Sequence, residues 1–136
     1  FQKAQRSLGV MASSPYEWLG EPVILPGSMG DGAWLLAGCG SSSFLESAAH
    51  GAGRKLSRQE ARSKTNIDGG LRVVGPVDPR SPTLRGRQDV VAEIQARLKE
   101  EAPAAYKPID SVVAPMVEAD MIKKIARIRP LITVKG

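Results

Sequence analysis

Apolar positions along this chain fall into short runs, separated by breaks rich in glycine and proline. Residues 1–20 carry no period, because Ser13-Ser14-Pro15 and Leu19-Gly20 interrupt it. Pro22-Val23-Ile24-Leu25 is a continuous apolar run, which predicts a short strand buried on both faces. It leads into Pro26-Gly27-Ser28-Met29-Gly30-Asp31-Gly32 and then into a second apolar run, Ala33-Trp34-Leu35-Leu36-Ala37. Strand, glycine-rich turn, strand is the economical reading. Gly38 to Ser43 reads as a loop, and Phe44 to Ala49 leads towards the single histidine, His50.

Helical spacing appears later. Ser57-Arg58-Gln59-Glu60 fits the S-x-x-E capping box, so a short helix is predicted over Arg58 to Lys64. Asn66 to Gly70 is a turn, Leu71 to Val74 a short strand, and Pro76 to Arg87 a proline-rich exposed loop. Gln88 to Ala102 is the clearest helix, with Val90, Val91, Ile94 and Leu98 on one face and charges opposite. Another is predicted from Asp110 towards Ala119, where Pro115 should kink or shorten it. Ile122 to Val134 is rich in β-branched residues and predicts extended structure. Two to three helices interleaved with four or five short strands place the fold in the α/β class, of mixed α+β character. No internal repeat is present.

Composition narrows this picture. A length of 136 residues suits one domain or part of one, and the missing initiator Met suggests a processed or partial chain. Aromatic residues make up only 4% against 42% hydrophobic residues overall, so the core leans on small side chains. A net charge of +5 favours a polyanionic partner such as nucleotide or nucleic acid. Cys39 is the single cysteine, which excludes an internal disulfide and points to a reducing compartment. One Cys and one His cannot build a His/Cys metal site. No apolar run approaches the ~20 residues a membrane span needs, and no secretory signal pattern is visible, so a cytoplasmic location is expected.

Candidate chemistry centres on His50. Gly51, Ala52 and Gly53 follow it, and then Arg54, Lys55 and Arg58. Small residues let backbone amides approach an anion closely, and cations beside a helix start reinforce the field. A histidine beside such a phosphate cradle is placed to act as a nucleophile. The plainer alternative is a tight turn, with the Arg/Lys cluster a solvated helix face. Pro-Gly-Ser-Met-Gly alone likewise reads as an ordinary hairpin turn. The chain has neither the Walker pattern nor a G-x-S-x-G elbow, which argues against a P-loop and a serine hydrolase.

Several motifs taken in order carry a more specific signal. They are Pro26-Gly27-Ser28-Met29-Gly30, Ala49-His50-Gly51-Ala52-Gly53-Arg54 and Ala105-Tyr106-Lys107-Pro108-Ile109-Asp110, then Arg127-Ile128-Arg129-Pro130-Leu131 and the terminal Val134-Lys135-Gly136. Together they resemble the RtcB family of RNA-splicing ligases. The resemblance covers most of residues 21–136. It departs from the family pattern across 66–87, where this chain is longer and richer in proline and an exposed insertion is expected. Residues 1–136 would then be the C-terminal part of a single ligase domain.

The resemblance implies GTP- and manganese-dependent joining of an RNA 2′,3′-cyclic phosphate or 3′-phosphate end to a 5′-hydroxyl end, as in tRNA splicing or RNA repair. His50 falls at the guanylylated histidine. Pro26, Gly27, Ser28, Met29, Ala33, Gly51, Ala52 and Gly53 fall at positions that hold the guanylate, and Tyr106 and Lys135 at guanine contacts. Ala33 replaces the serine usual there, so one hydroxyl contact is lost. Arg54 and Arg58 fall at positions that bind phosphate of the RNA end. The family's manganese ligands lie upstream, so no metal ligand is expected in this segment, and an archease-like helper protein is among the partners implied. The competing reading is a non-catalytic nucleotide- or RNA-binding fragment without the metal site.

Overall fold

The computed structural model describes residues 19–67, 73–75, 77–78 and 81–134. Strand β1 (Pro22–Pro26) and strand β2 (Ala33–Gly38) form an antiparallel hairpin around the glycine-rich turn. Its loop is closed by the Gly27 N–H, which donates to the Gly32 carbonyl at 2.7 Å. After α1 (Arg58–Lys64), β3 (Val73–Val74), α2 (Gln88–Glu100) and α3 (Ile109–Glu118), the chain returns as β4 (Ile122–Ile128) and β5 (Thr133–Val134). Three antiparallel strands run in the order β1-β2-β4, and β3 pairs in parallel with β5. The fold is therefore mixed α+β, as the interleaved pattern predicts.

Side-chain alternation on the sheet decides what lies inside. Val23 stands opposite Leu36 and Leu25 opposite Trp34, so these four share one face. α3 lays Ile109, Val113 and Met116 on that face, and Ile122 of β4 and Ala52 of the histidine turn complete the core. The opposite face is open: Ile24 is 64% exposed. That corrects the expectation of a strand buried on both faces. β1 is an edge strand of an antiparallel sheet with one covered side, which also suits prolines at both its ends.

The helices follow their caps. In α1 the Ser57 hydroxyl accepts from the Glu60 N–H while the Glu60 carboxylate accepts from the Ser57 N–H, completing the capping box. α2 turns Val90, Val91, Ile94 and Leu98 inward to half-buried positions and ends at Glu100, slightly before the predicted Ala102. α1 packs against α2 through Arg62, which holds Glu100 at 2.5 Å and Glu93 at 3.5 Å, and through the Thr65 hydroxyl, which donates to the Lys99 carbonyl.

α3 continues three residues past Pro115, to Glu118. Proline removes one amide, but burial of Val113 and Met116 on either side of it keeps the segment helical. The predicted C-terminal extended run is divided into β4 and β5 by Arg129 to Ile132. Within 66–87 the described residues are mostly exposed, yet they include β3 and a 3-10 turn at Pro82–Leu84, so that stretch is not wholly loop. Of the strand expected over Leu71 to Val74, Leu71 and Arg72 lie outside the described residues.

Candidate functional site

Three segments far apart in sequence meet at the histidine turn. The Ala52 N–H donates to the Pro26 carbonyl at 3.1 Å, which ties the turn to the start of the Pro26–Gly32 loop. The Lys107 N–H donates to the Gly53 carbonyl at 3.0 Å, and Arg54 and Tyr106 form an isolated antiparallel bridge. The Ala105 carbonyl accepts from both Lys55 and Leu56 N–H groups. Backbone bonds of this kind hold a turn in place whatever its side chains do. His50 itself is exposed, and its imidazole makes no side-chain hydrogen bond to the described residues. The Ala49 N–H behind it donates to the Met116 sulfur at 3.4 Å.

The Pro26–Gly32 loop tied to this turn is backbone-rich and tight. A Cβ on Gly27 would come within 2.8 Å of the Gly32 carbonyl oxygen and 2.9 Å of the Asp31 Cβ, so only glycine fits there. Gly53 adopts φ +72°, in the left-handed region that side chains disfavour. Ser28 is only 8% exposed, and its hydroxyl finds no hydrogen-bond partner among the described residues. A buried hydroxyl without a partner among the described residues is a place for a polar ligand atom.

Tyr106 is joined to the same turn through Arg54. The Arg54 guanidinium lies over its ring, 4.8 Å from the centre, and Arg54 Nη1 donates to its hydroxyl at 3.0 Å. The Tyr106 hydroxyl in turn donates to Glu101. Burial, and then the Glu101 carboxylate, push the Tyr106 phenol above its ordinary value, so it stays protonated at neutral pH. Arg54 is further engaged by the Glu100 carbonyl at 2.6 Å and the Leu56 carbonyl at 3.1 Å. Arg58 contrasts with it: its side chain is 75% exposed and, among the described residues, pairs with Glu100 at 3.7 Å.

This assembly of Pro-Gly-Ser-Met-Gly, His-Gly-Ala-Gly-Arg and Tyr-Lys-Pro segments around one histidine coincides with a match at the level of the whole chain. The family model described as tRNA-splicing ligase RtcB matches residues 3–136. The chain belongs to the RtcB family. The RNA-splicing ligase RtcB of Mycobacterium tuberculosis is 36% identical over 118 residues, covering 87% of this chain and 25% of that protein. The tRNA-splicing ligase RtcB of Nanoarchaeum equitans is 40% identical over 126 residues, covering 89% of this chain and 24% of that protein. The tRNA-splicing ligase RtcB of Pyrococcus furiosus is 39% identical over 123 residues, 89% of this chain and 12% of that protein. The chain thus spans a quarter or less of the length of these relatives.

Within this RtcB segment the residues singled out from sequence divide clearly. Pro26, Gly27, His50, Gly51, Ala52, Gly53, Arg54 and Tyr106 are brought together by the backbone bonds and the bridge above. Ser28 and Met29 continue the same loop, and Ala33 begins β2 directly opposite Pro26. Arg58 opens α1 behind its Ser57 cap. Lys135 lies outside the described residues. Among the described residues no three His, Cys, Asp or Glu side chains gather into a metal site, and Cys39 is a half-buried free thiol. No helix among them is long and apolar enough to cross a membrane.

Sequence reasoning missed the groups that hold these segments in register. Asp31 Oδ2 accepts from the Ile109 N–H at 3.0 Å, capping α3 from another part of the chain because Pro108 has no side-chain acceptor of its own. Glu101, the acceptor for Tyr106, is one of a row of acidic residues at the end of α2 and carried no motif to mark it.

Proposed function

We propose that the protein carrying this chain is a GTP-dependent RNA ligase in which His50 is guanylylated. The observation that carries this reading is the convergence of the loop that begins at Pro26 and of the Tyr106 segment on the histidine turn, where the His50 imidazole is exposed and makes no hydrogen bond to the described residues. The unprotonated imidazole nitrogen attacks the α-phosphorus of GTP. An N–P bond forms, the bond from that phosphorus to the bridging oxygen breaks, and pyrophosphate leaves with the electron pair. The other ring nitrogen then releases its proton to solvent. An RNA 3′-phosphate oxygen takes the guanylate as the N–P bond breaks, and the departing ring takes a proton back from solvent, restoring the neutral imidazole. The 5′-hydroxyl attacks the activated 3′-phosphorus, losing its proton as GMP departs. A 2′,3′-cyclic phosphate end is first opened by water to the 3′-phosphate.

The chain's own residues supply binding and orientation. Backbone around Gly27 and Gly51 to Gly53 lets phosphate oxygens approach, the Ser28 hydroxyl offers a donor, and Tyr106 presents a ring held flat by Arg54. Ala33 contributes shape but no hydroxyl. Lys135 donates to the guanine O6, which an ammonium can do and which disfavours the adenine amino group. Arg58, exposed and weakly held, meets the phosphate of the RNA end, whereas Arg54 reaches it only by giving up contacts to Tyr106 and Glu101. Among the described residues no His, Cys, Asp and Glu side chains gather that would fit manganese, and on this reading its ligands come from residues outside this segment. RNA ends of tRNA halves or damaged RNA are the substrates, an archease-like protein is the helper, and the location is cytoplasmic.

Because no metal cluster gathers among the described residues, a second reading for the isolated chain is a nucleotide- or RNA-binding module without turnover. Both are tested by incubating the full-length protein with labelled GTP and manganese, alongside the isolated chain and full-length His50→Ala. Acid-labile, alkali-stable label on the full-length protein alone supports the ligase. Undiminished label on His50→Ala moves the nucleophile elsewhere.

A further inference from the structure

The Arg127-Ile128-Arg129-Pro130 motif has no part in the chemistry above, and the structure gives its first residue a distinct position. Arg127 Nη1 donates to both carboxylate oxygens of Asp110, each at 2.7 Å, while Nη2 donates to the Asp31 carbonyl at 3.0 Å. Its guanidinium lies 5.2 Å from the centre of the Trp34 ring, and Trp34 Nε1 donates to Asp110 Oδ1 at 2.9 Å. Asp31 closes the circuit: its side chain caps Ile109 at 3.0 Å and its N–H donates to the Ser28 carbonyl at 3.1 Å. One guanidinium therefore clamps the loop that carries Gly27 and Ser28 to the start of α3, three residues beyond Tyr106.

We infer that Arg127 is a positioning residue that fixes the width of the nucleotide cradle between the Pro26–Asp31 loop and Tyr106. The inference rests on the guanylylation reading and adds a residue that neither the motif chemistry nor the core requires. Arg127 touches neither His50 nor the turn around it, so it acts through Asp31 and Asp110. A planar fork is needed, because a lysine ammonium cannot chelate Asp110, reach the Asp31 carbonyl and stack on Trp34 at once. The cluster sits at the rim, with the Arg127 and Asp110 side chains 29% and 60% exposed. Exposed ion pairs contribute little to global stability, so what such a clamp secures is geometry. The Arg127 hydrogen bond, and after it the Trp34 one, hold the Asp110 carboxyl below its ordinary value, which keeps the clamp charged at neutral pH.

The test uses the full-length protein, with GTP-dependent labelling measured against GTP concentration and normalised to the fraction of protein able to take label. Arg127→Ala and Arg127→Lys should each raise the KM for GTP about tenfold or more, with kcat within about twofold and the melting temperature nearly unchanged. Amide exchange should quicken at Asp31 and Ile109 together, but not at Ala61 or Thr65 of the α1 region. Asp110→Asn, which keeps the side chain's size, should reproduce the pattern in weaker form. An unchanged KM with a smaller active fraction would show a purely structural role and overturn the inference, as would faster exchange throughout the chain. If the unmodified protein takes no label from GTP, the guanylylation reading fails separately. Exchange at Asp31 and Ile109 then decides alone: coupled loosening sustains the clamp, and unchanged exchange refutes it.

Discussion

Gly53 stands at φ +72° in open space, while Gly27 has an ordinary backbone and no space at all. The two glycines beside His50 should therefore fail differently. Gly53→Ala should cost about 1–2 kcal/mol through left-handed strain alone, and Gly53→Asn less, as read from denaturant midpoints. Gly27→Ala drives a methyl against the Gly32 carbonyl, so the loop must shift; GTP use should fall more steeply than stability does. Neither difference is legible in the sequence, where both are simply glycines in glycine-rich motifs. Arg54 teaches the same lesson from the other direction. Its place in the motif suggested a phosphate contact, but a guanidinium has five donors and the fold offers them Tyr106, Glu100 and Leu56 first. Arg58→Ala should accordingly impair RNA sealing while sparing self-guanylylation, whereas Arg54→Ala should impair both, since it also releases Tyr106. Equal loss of sealing and guanylylation in Arg58→Ala would remove that residue from the RNA end.

At the scale of elements, what the chain states locally is what the sequence reveals. The capping box at Ser57 and Glu60, the α2 stripe and the β1–β2 hairpin are all encoded by neighbours, and all are present. The edge position of β1, the passage of α3 through Pro115 and the remote cap from Asp31 depend on which segments pack together, so no local pattern announces them. The α1 cap also carries a pH dependence. The Lys64 hydrogen bond, followed by bonds from the Ser57 N–H and hydroxyl, lowers the Glu60 carboxyl from 4.5 to about 2. A depressed carboxyl stabilises the fold above its ordinary value and loses that effect as pH falls towards the lowered one. Amide protection at Ser57 and Glu60 should hold above pH 4.5 and decline towards about pH 2, the more weakly so at high salt because the group is solvated. Glu60→Gln should flatten that decline; an identical pH profile in the variant would assign it to other carboxylates.

For the molecule as a whole, one small core sets the site. Leu36, Leu25, Ile109, Val113 and Ile122 are fully buried, and Ala52 of the histidine turn belongs to the same cluster. Leu36→Ala should cost about 2–5 kcal/mol in stability, and Ala52 places the histidine turn among the regions that feel it. Because no metal cluster gathers among the described residues, chelation with EDTA should leave the melting temperature of the isolated chain unmoved. The same treatment should abolish labelling of the full-length protein. Family membership was legible from ordered motifs alone, since each keeps its local sequence, but nothing in them shows that Arg127 reaches Asp31 and Asp110 or that Asp31 caps Ile109. The central claim is that these motifs converge to make His50 a nucleophile for GTP. Its most direct test is peptide mapping by mass spectrometry of the full-length protein after incubation with GTP and manganese. A peptide containing His50 should be heavier by one guanylate, and that peptide should be absent when ATP replaces GTP. A guanylate found on Lys55, Lys107 or any other residue, with the His50 peptide unmodified, would contradict it.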